Sequence, residues 1–211
     1  MTVLIFVNGE INDVDWIRPY LESATAVLAA DGGSRHLYTL RHLPDLVIGD
    51  MDSLPLKVQH WLAENGVPRQ THPPVKDETD LELALLYAAE HFPDDLLLFG
   101  TLGGRLDQTL ANILLLTHPR LYGRRVEIIT GRERAWLVHD HSIVQGQIGD
   151  TVSLIPLGSD VQIETTAGLK WSLQNDVLTF GLARGVSNVL TAVTATITLQ
   201  SGTLLCIHTP S

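Results

Sequence analysis

The chain has 211 residues, 45% hydrophobic and 18% charged, and its 14 basic against 24 acidic residues leave a formal net charge of −10. That length gives one large domain or two modest ones with a sizeable core, and the composition excludes a disordered chain or a disulfide-stapled miniprotein. So acidic a surface repels a phosphate backbone, which argues against nucleic acid as a partner but leaves small phosphates open to a few local cations.

The amino-terminal run, Met1 to Val7, has no cationic leader and reads as a first β-strand over residues 3–7, not a signal peptide. No apolar stretch approaches the ~20 residues that span a bilayer, so no membrane partner is expected and the cytoplasm is the default compartment. Further strands are predicted over residues 26–30, 46–48, 96–99 and 126–129. Helices are predicted over 15–23, 33–42, 54–65, 79–91 and 106–117. This alternation is the pattern of βα units around a mostly parallel sheet. Thr79-Asp80-Leu81-Glu82 is a capping box, ahead of an apolar face made by Leu81, Ala84, Leu85 and Ala88. After about residue 130 the pattern changes to closely spaced strands over 135–139, 152–156, 161–166, 177–180, 189–199 and 203–208, rich in threonine and valine. A β-sandwich follows from it. The fold expected is therefore an α/β domain over residues 1–124 followed by an all-β domain over 125–211, with the junction at 122–125 or at 130–132. Cys206, the single cysteine, excludes a disulfide framework and any multi-cysteine zinc site, and reads as a buried strand residue.

Four clusters carry chemistry. Asp31-Gly32-Gly33-Ser34 follows a strand and opens a helix, where backbone N–H groups can receive an anion. Gly49-Asp50-Met51-Asp52-Ser53 sets two carboxylates at another strand's carboxyl end, the edge where open α/β sheets bind ligands. Three carboxylates in one crevice repel each other without a cation, and Mg²⁺ suits a few carboxylate oxygens shared with substrate phosphates. Lys76-Asp77-Glu78-Thr79-Asp80 places a cation and two more aspartates at a helix entrance. Gly100-Thr101-Leu102-Gly103-Gly104-Arg105-Leu106-Asp107 combines glycines that free backbone N–H groups with an arginine fork for phosphate. Neither a P-loop nor a dinucleotide-binding glycine fingerprint is present. Two histidines flanking Asp140, His139 and His141, lack a third ligand nearby and read as exposed strand residues.

These clusters in this order resemble the thiamine pyrophosphokinase family, and the similarity continues into Gly168-Leu169-Lys170-Trp171 and Arg184-Gly185-Val186-Ser187-Asn188, covering almost the whole chain. The resemblance implies a homodimer that moves the pyrophosphoryl group of ATP to the hydroxyl of thiamine, releasing AMP and requiring Mg²⁺. It implies Asp31, Asp50, Asp52 and Asp80 at the metal. It places Asn8, Gly9, Asp31, Gly32, Gly33, Lys76, Gly103, Gly104, Arg105 and Asp107 around the nucleotide phosphates. Asp50, Asp52, Asp77, Asp80 and Arg105 become the catalytic set, and Trp171, Ser187 and Asn188 the thiamine pocket, contributed from the neighbouring subunit. Gln108 stands where many bacterial relatives have His, and Trp171 where many have Tyr; an indole keeps a flat face for stacking. The alternatives are a pyrophosphokinase acting on another alcohol, such as a hydroxymethylpterin, and a non-catalytic nucleotide sensor.

Overall fold

A computed structural model of the chain describes residues 2–52, 54–72 and 77–211. Two compact units divide between Gly131 and Arg132. The division falls at the second of the two junctions foreseen and not after Arg124, because strand 126–129 pairs in parallel with its neighbour 95–99 and belongs to the first unit.

In the first unit, β1 (Thr2–Phe6), β2 (Ala26–Ala30), β3 (Leu46–Gly49), β4 (Arg69–Thr71), β5 (Asp95–Phe99) and β6 (Val126–Ile129) lie in the order β6-β5-β1-β2-β3-β4, every pairing parallel. Parallel strands covered on both faces read as continuous apolar runs, and Ala-Val-Leu-Ala-Ala of β2 is buried throughout. Leu4, Phe6, Val27, Ala29 and Val47 share a cluster with Leu37 and Leu40 of α2 (Ser34–Leu40) and Val58 and Leu62 of α3 (Leu56–Glu64). Side chains alternate along a strand, so Ile5 and Leu28 point to the other face. There α4 (Asp80–His91) packs on β1, β2 and β3 with Leu81, Ala84, Leu85 and Ala88 buried. Its capping box forms as predicted, Thr79 accepting a hydrogen bond from the Glu82 N–H at 3.2 Å. The predicted first helix opens as a 3-10 turn, Asp15–Ile17, before α1 (Arg18–Glu22), whose second position is Pro19. The sequence pattern missed β4 because Arg-Gln-Thr has no apolar face; it is a short, exposed edge strand.

In the second unit, β7 (Arg134–Val138), β9 (Thr151–Pro156), β12 (Asn188–Val189) and β14 (Leu204–Thr209) form one antiparallel sheet in the order β12-β9-β14-β7. A second has the order β11-β10-β13-β8, from β8 (His141–Gln145), β10 (Val161–Ala167), β11 (Gln174–Leu178) and β13 (Thr194–Ser201). Inward residues Val152, Leu154, Val161, Ile163, Ala195 and Ile197 make a common core, Cys206 among them. The predicted strand 189–199 is split in two, because Leu190 and Thr191 leave the ladder to donate to Asp150 O and Gly168 O. Asp150 staples this end of the sandwich: its buried carboxylate accepts from His208 Nε2 at 2.8 Å, Gln147 N at 2.8 Å and Ser211 N at 2.9 Å. Those bonds, the backbone ones first, hold its pKa down to about 2 despite burial. Among the described residues no helix is long and apolar enough to cross a membrane.

Candidate active site

The strand order reverses between β1 and β5, the position where open α/β sheets usually leave a ligand crevice. Here backbone closes it. Val7 N donates to Phe99 O at 2.8 Å, Gly9 N to Gly100 O at 2.7 Å and Glu10 N to Leu102 O at 2.8 Å. A Cβ on Gly9 would lie 2.4 Å from the carbonyl oxygens of Gly100 and Leu102, so only glycine lets the two turns meet. The open polar ground of the sheet's carboxyl edge therefore lies over β2 and β3.

That ground is acidic. One carboxylate oxygen from each of Asp31, Asp50 and Asp52 lies within 4.8 Å of the other two, with Asp31 buried, Asp50 half-buried and Asp52 exposed. The backbone is bent to gather them. Asp31 (φ 39°) and Met51 (φ 67°) sit in the left-handed region, which costs a non-glycine residue free energy and persists where function or surrounding structure demands it. Asp50 Oδ1 accepts from Asp52 N at 3.1 Å, turning the second carboxylate back toward the first. Gly49 (φ 146°) makes room: a Cβ there would stand 2.8 Å from Asp31 Cβ and 3.1 Å from Asp80 Oδ1, which places Asp80, the first residue of α4, against the same turn. Three hard oxygen donors at this spacing repel one another unless a cation joins them, and the set fits Mg²⁺ better than a softer metal.

The remaining predicted phosphate residues divide. Asn8 packs its side chain on Gly32, and Gly32 and Gly33 are buried beneath the turn. Gly103, Gly104, Arg105 and Asp107 are exposed at the start of α5 (Leu106–Leu115), with Arg105 as its N-cap residue. Arg105 forks onto Asp107, Nε to Oδ1 at 3.1 Å and Nη2 to Oδ2 at 2.5 Å, and this pairing holds the Asp107 carboxyl below its usual range. Asp77 is exposed just ahead of the Thr79 cap. Lys76 lies outside the described residues.

Three side chains that sequence reasoning missed brace the turns. His36, 5% exposed, donates from Nε2 to Gly9 O at 2.9 Å. Burial, with the Arg35 charge assisting, drives its pKa down to about 4 against the Gly9 bond, so the ring is neutral. Arg35 Nη2 donates to Asn8 O at 3.0 Å and Gly9 O at 2.8 Å. Asn112 of α5 is buried and donates to Thr101 O at 2.7 Å. A loop's carbonyls leave no mark in its own sequence, so none of these partners was foreseeable.

In the second unit an open groove of about 710 Å³ is lined by Lys170, Trp171, Arg184, Val186, Ser187 and Asn188, among others. Trp171 is 56% exposed, an unusual state for an indole without a ligand or partner surface. Asn188 is buried and brackets it: Trp171 N donates to Asn188 Oδ1 at 3.0 Å, and Asn188 Nδ2 donates to Trp171 O at 2.7 Å. Its amide therefore holds the main chain behind the indole, while Ser187 (φ 62°) donates its N–H to Ser153 Oγ at 3.1 Å. Arg184 is forked onto Asp176, Nη1 to Oδ1 at 2.8 Å with Nη2 on Oδ2.

Residues 17–130 match the family profile described as thiamin pyrophosphokinase, catalytic domain, and residues 140–204 that of the thiamin pyrophosphokinase vitamin B1 binding domain. The chain is 27% identical over 209 residues to thiamine pyrophosphokinase of Bacillus subtilis, spanning 98% of both chains. It is 28% identical over 200 residues to thiamine pyrophosphokinase 1 of Oryza sativa subsp. japonica, spanning 82% of this chain and 75% of that one. The crystal structure of the Bacillus subtilis thiamine pyrophosphokinase superposes with a TM-score of 0.91 at 26% identity over 100% of both chains. That of a thiamin pyrophosphokinase family protein from Enterococcus faecalis gives 0.87 at 25% identity, also over 100% of both.

Proposed function

The chain belongs to the thiamine pyrophosphokinase family, enzymes that transfer the pyrophosphoryl group of ATP to the hydroxyl of thiamine, and we propose how its residues divide that work. The first unit binds ATP and the second binds thiamine. The observation that carries this reading is the approach of the Asp31, Asp50 and Asp52 carboxylate oxygens to within 4.8 Å of one another. These three, with Asp80 beside them, would hold Mg²⁺. When bound, magnesium supplies charge neutralisation of the triphosphate and polarisation of the phosphorus under attack.

The chain's own groups do the rest. The hydroxyl oxygen of thiamine attacks the β-phosphorus in line; its new P–O bond forms as the bond to the α-phosphate bridging oxygen breaks, and the electron pair leaves on AMP. Transfers of this kind depend mainly on positioning and on neutralising charge. Arg105, released from Asp107 by an incoming phosphate, and Lys76 hold non-bridging oxygens. Asn8, Gly9, Gly32, Gly33, Gly103 and Gly104 shape the backbone around them. The hydroxyl proton passes to a carboxylate at the α4 entrance, Asp77 or Asp80. Trp171 offers its indole face to a thiamine ring, Ser187 borders the groove, and Asn188 holds Trp171 in place. The active form is a cytoplasmic homodimer in which the groove of one subunit serves the phosphate site of the other.

The direct test is Asp50→Asn and Asp52→Asn, assayed for AMP release with Mg-ATP and thiamine after circular dichroism shows each variant folded. Near-abolition is expected. Turnover close to that of the unmodified enzyme in either folded variant contradicts the metal role.

A further inference from the structure

The groove in the sandwich carries a charge that its proposed substrate does not ask for. Thiamine is a permanent cation, yet Lys170 places its Nζ 4.8 Å from the centroid of the Trp171 ring, over the aromatic surface on which a ligand would stack. Arg184, the other cation lining the groove, is neutralised by its fork onto Asp176. Among the described residues Lys170 forms no ion pair with a carboxylate; its ammonium rests on the indole. Its main chain is fixed, the N–H donating to Val189 O at 2.9 Å, and it follows Leu169, which bridges Leu190. The ammonium is thus tethered in the groove with its charge uncompensated by a carboxylate.

Two cations a few ångströms apart at a partly wet surface repel, and an ammonium meeting a phosphate gains a charge-assisted hydrogen bond. The same side chain therefore opposes thiamine and favours its pyrophosphorylated form. Only interactions stronger in the transition state than in the ground state accelerate a reaction, and a cation that gains its anion as the pyrophosphoryl group arrives is one of these. Resting on the assignment of this groove to thiamine, we infer that Lys170 is a specificity-determining residue that makes the groove prefer thiamine pyrophosphate over thiamine, with product retention as the consequence.

Isothermal titration of the full-length protein with thiamine and with thiamine pyrophosphate, without ATP or divalent ion, tests this in the unmodified enzyme, Lys170→Gln and Lys170→Arg. The unmodified enzyme should bind the pyrophosphate form about tenfold tighter. Lys170→Gln should reduce that preference severalfold while binding thiamine as well or better, and Lys170→Arg should restore it. The preference should shrink in high salt in the unmodified enzyme and show a weaker salt dependence in Lys170→Gln. If Lys170→Gln binds both ligands and keeps the full preference, the anion is read elsewhere and the inference falls while the groove assignment stands. If the unmodified enzyme binds neither ligand, or Trp171→Ala binds both unchanged, the groove assignment itself falls and the inference with it.

Discussion

The two candidate regions differ in what they present: one gathers carboxylates and the other an exposed aromatic face. Over β2 and β3, carboxylate side chains are brought together by strained backbone, with Asp31 and Met51 left-handed and Gly49 leaving room beside Asp80. In the sandwich, a groove edge presents an aromatic face, and the polar group behind it, Asn188, is bonded to the backbone of Trp171 and Val189. On the proposed division of work, the first arrangement serves to lower a barrier and the second to hold a substrate. Substitutions in the two regions should accordingly separate into effects on kcat and effects on the thiamine KM.

The sharpest separation is expected at Asp50 and Asp52. Removing either charge should lower kcat by about a thousandfold, the scale of losing a preorganised electrostatic contact to a transferring group, with thiamine KM unmoved. A matching rise in thiamine KM would blur the comparison. Next comes Trp171→Ala, for which steady-state kinetics should show thiamine KM raised by about ten- to a hundredfold and ATP KM unchanged, as for loss of one stacking contact. Asn188→Ala should give a smaller shift in the same direction, because the indole remains but loses its bracket. Equal shifts in both substrates would mean that the groove does not act on thiamine alone.

The smallest effect concerns His36, whose pKa falls from 6.5 in the unfolded chain to about 4 in the folded one. The folded state then binds fewer protons, so its stability is complete above pH 6.5 and is lost as pH falls toward and through 4. Urea unfolding at pH 7.5 and 5.5 should show this group removing about 1 kcal/mol, and His36→Gln, which keeps a donor for Gly9 O, should lack that contribution. An identical pH dependence in both proteins would show that the brace under the β1 turn is not desolvated.

Much of this was legible in the sequence where local chemistry dictates geometry. The capping box at Thr79 to Glu82 formed because its bonds span four residues, and β2 was readable because burial on both faces needs an unbroken apolar run. The convergence of Asp31 with Asp50 and Asp52 followed from the rule that strand carboxyl ends share one edge. The pattern hid β4 and β8, one wholly polar and the other an edge strand exposing Ile143, because neither carries a regular buried face. It also hid Arg35, His36 and Asn112, whose partners are carbonyls of distant loops, and the turning inward of Asn188, since an amide reads the same whether it meets a ligand or a neighbouring backbone.

The central claim is that the three aspartates gather a divalent ion against the triphosphate. Titration of Mn²⁺, followed by its electron paramagnetic resonance signal, in the presence of a non-hydrolysable ATP analogue measures this with no turnover. The unmodified enzyme should hold the ion tightly, and the Asp31→Asn, Asp50→Asn and Asp52→Asn variants should each release it at markedly lower affinity. Mn²⁺ bound equally well by all four proteins would contradict the account.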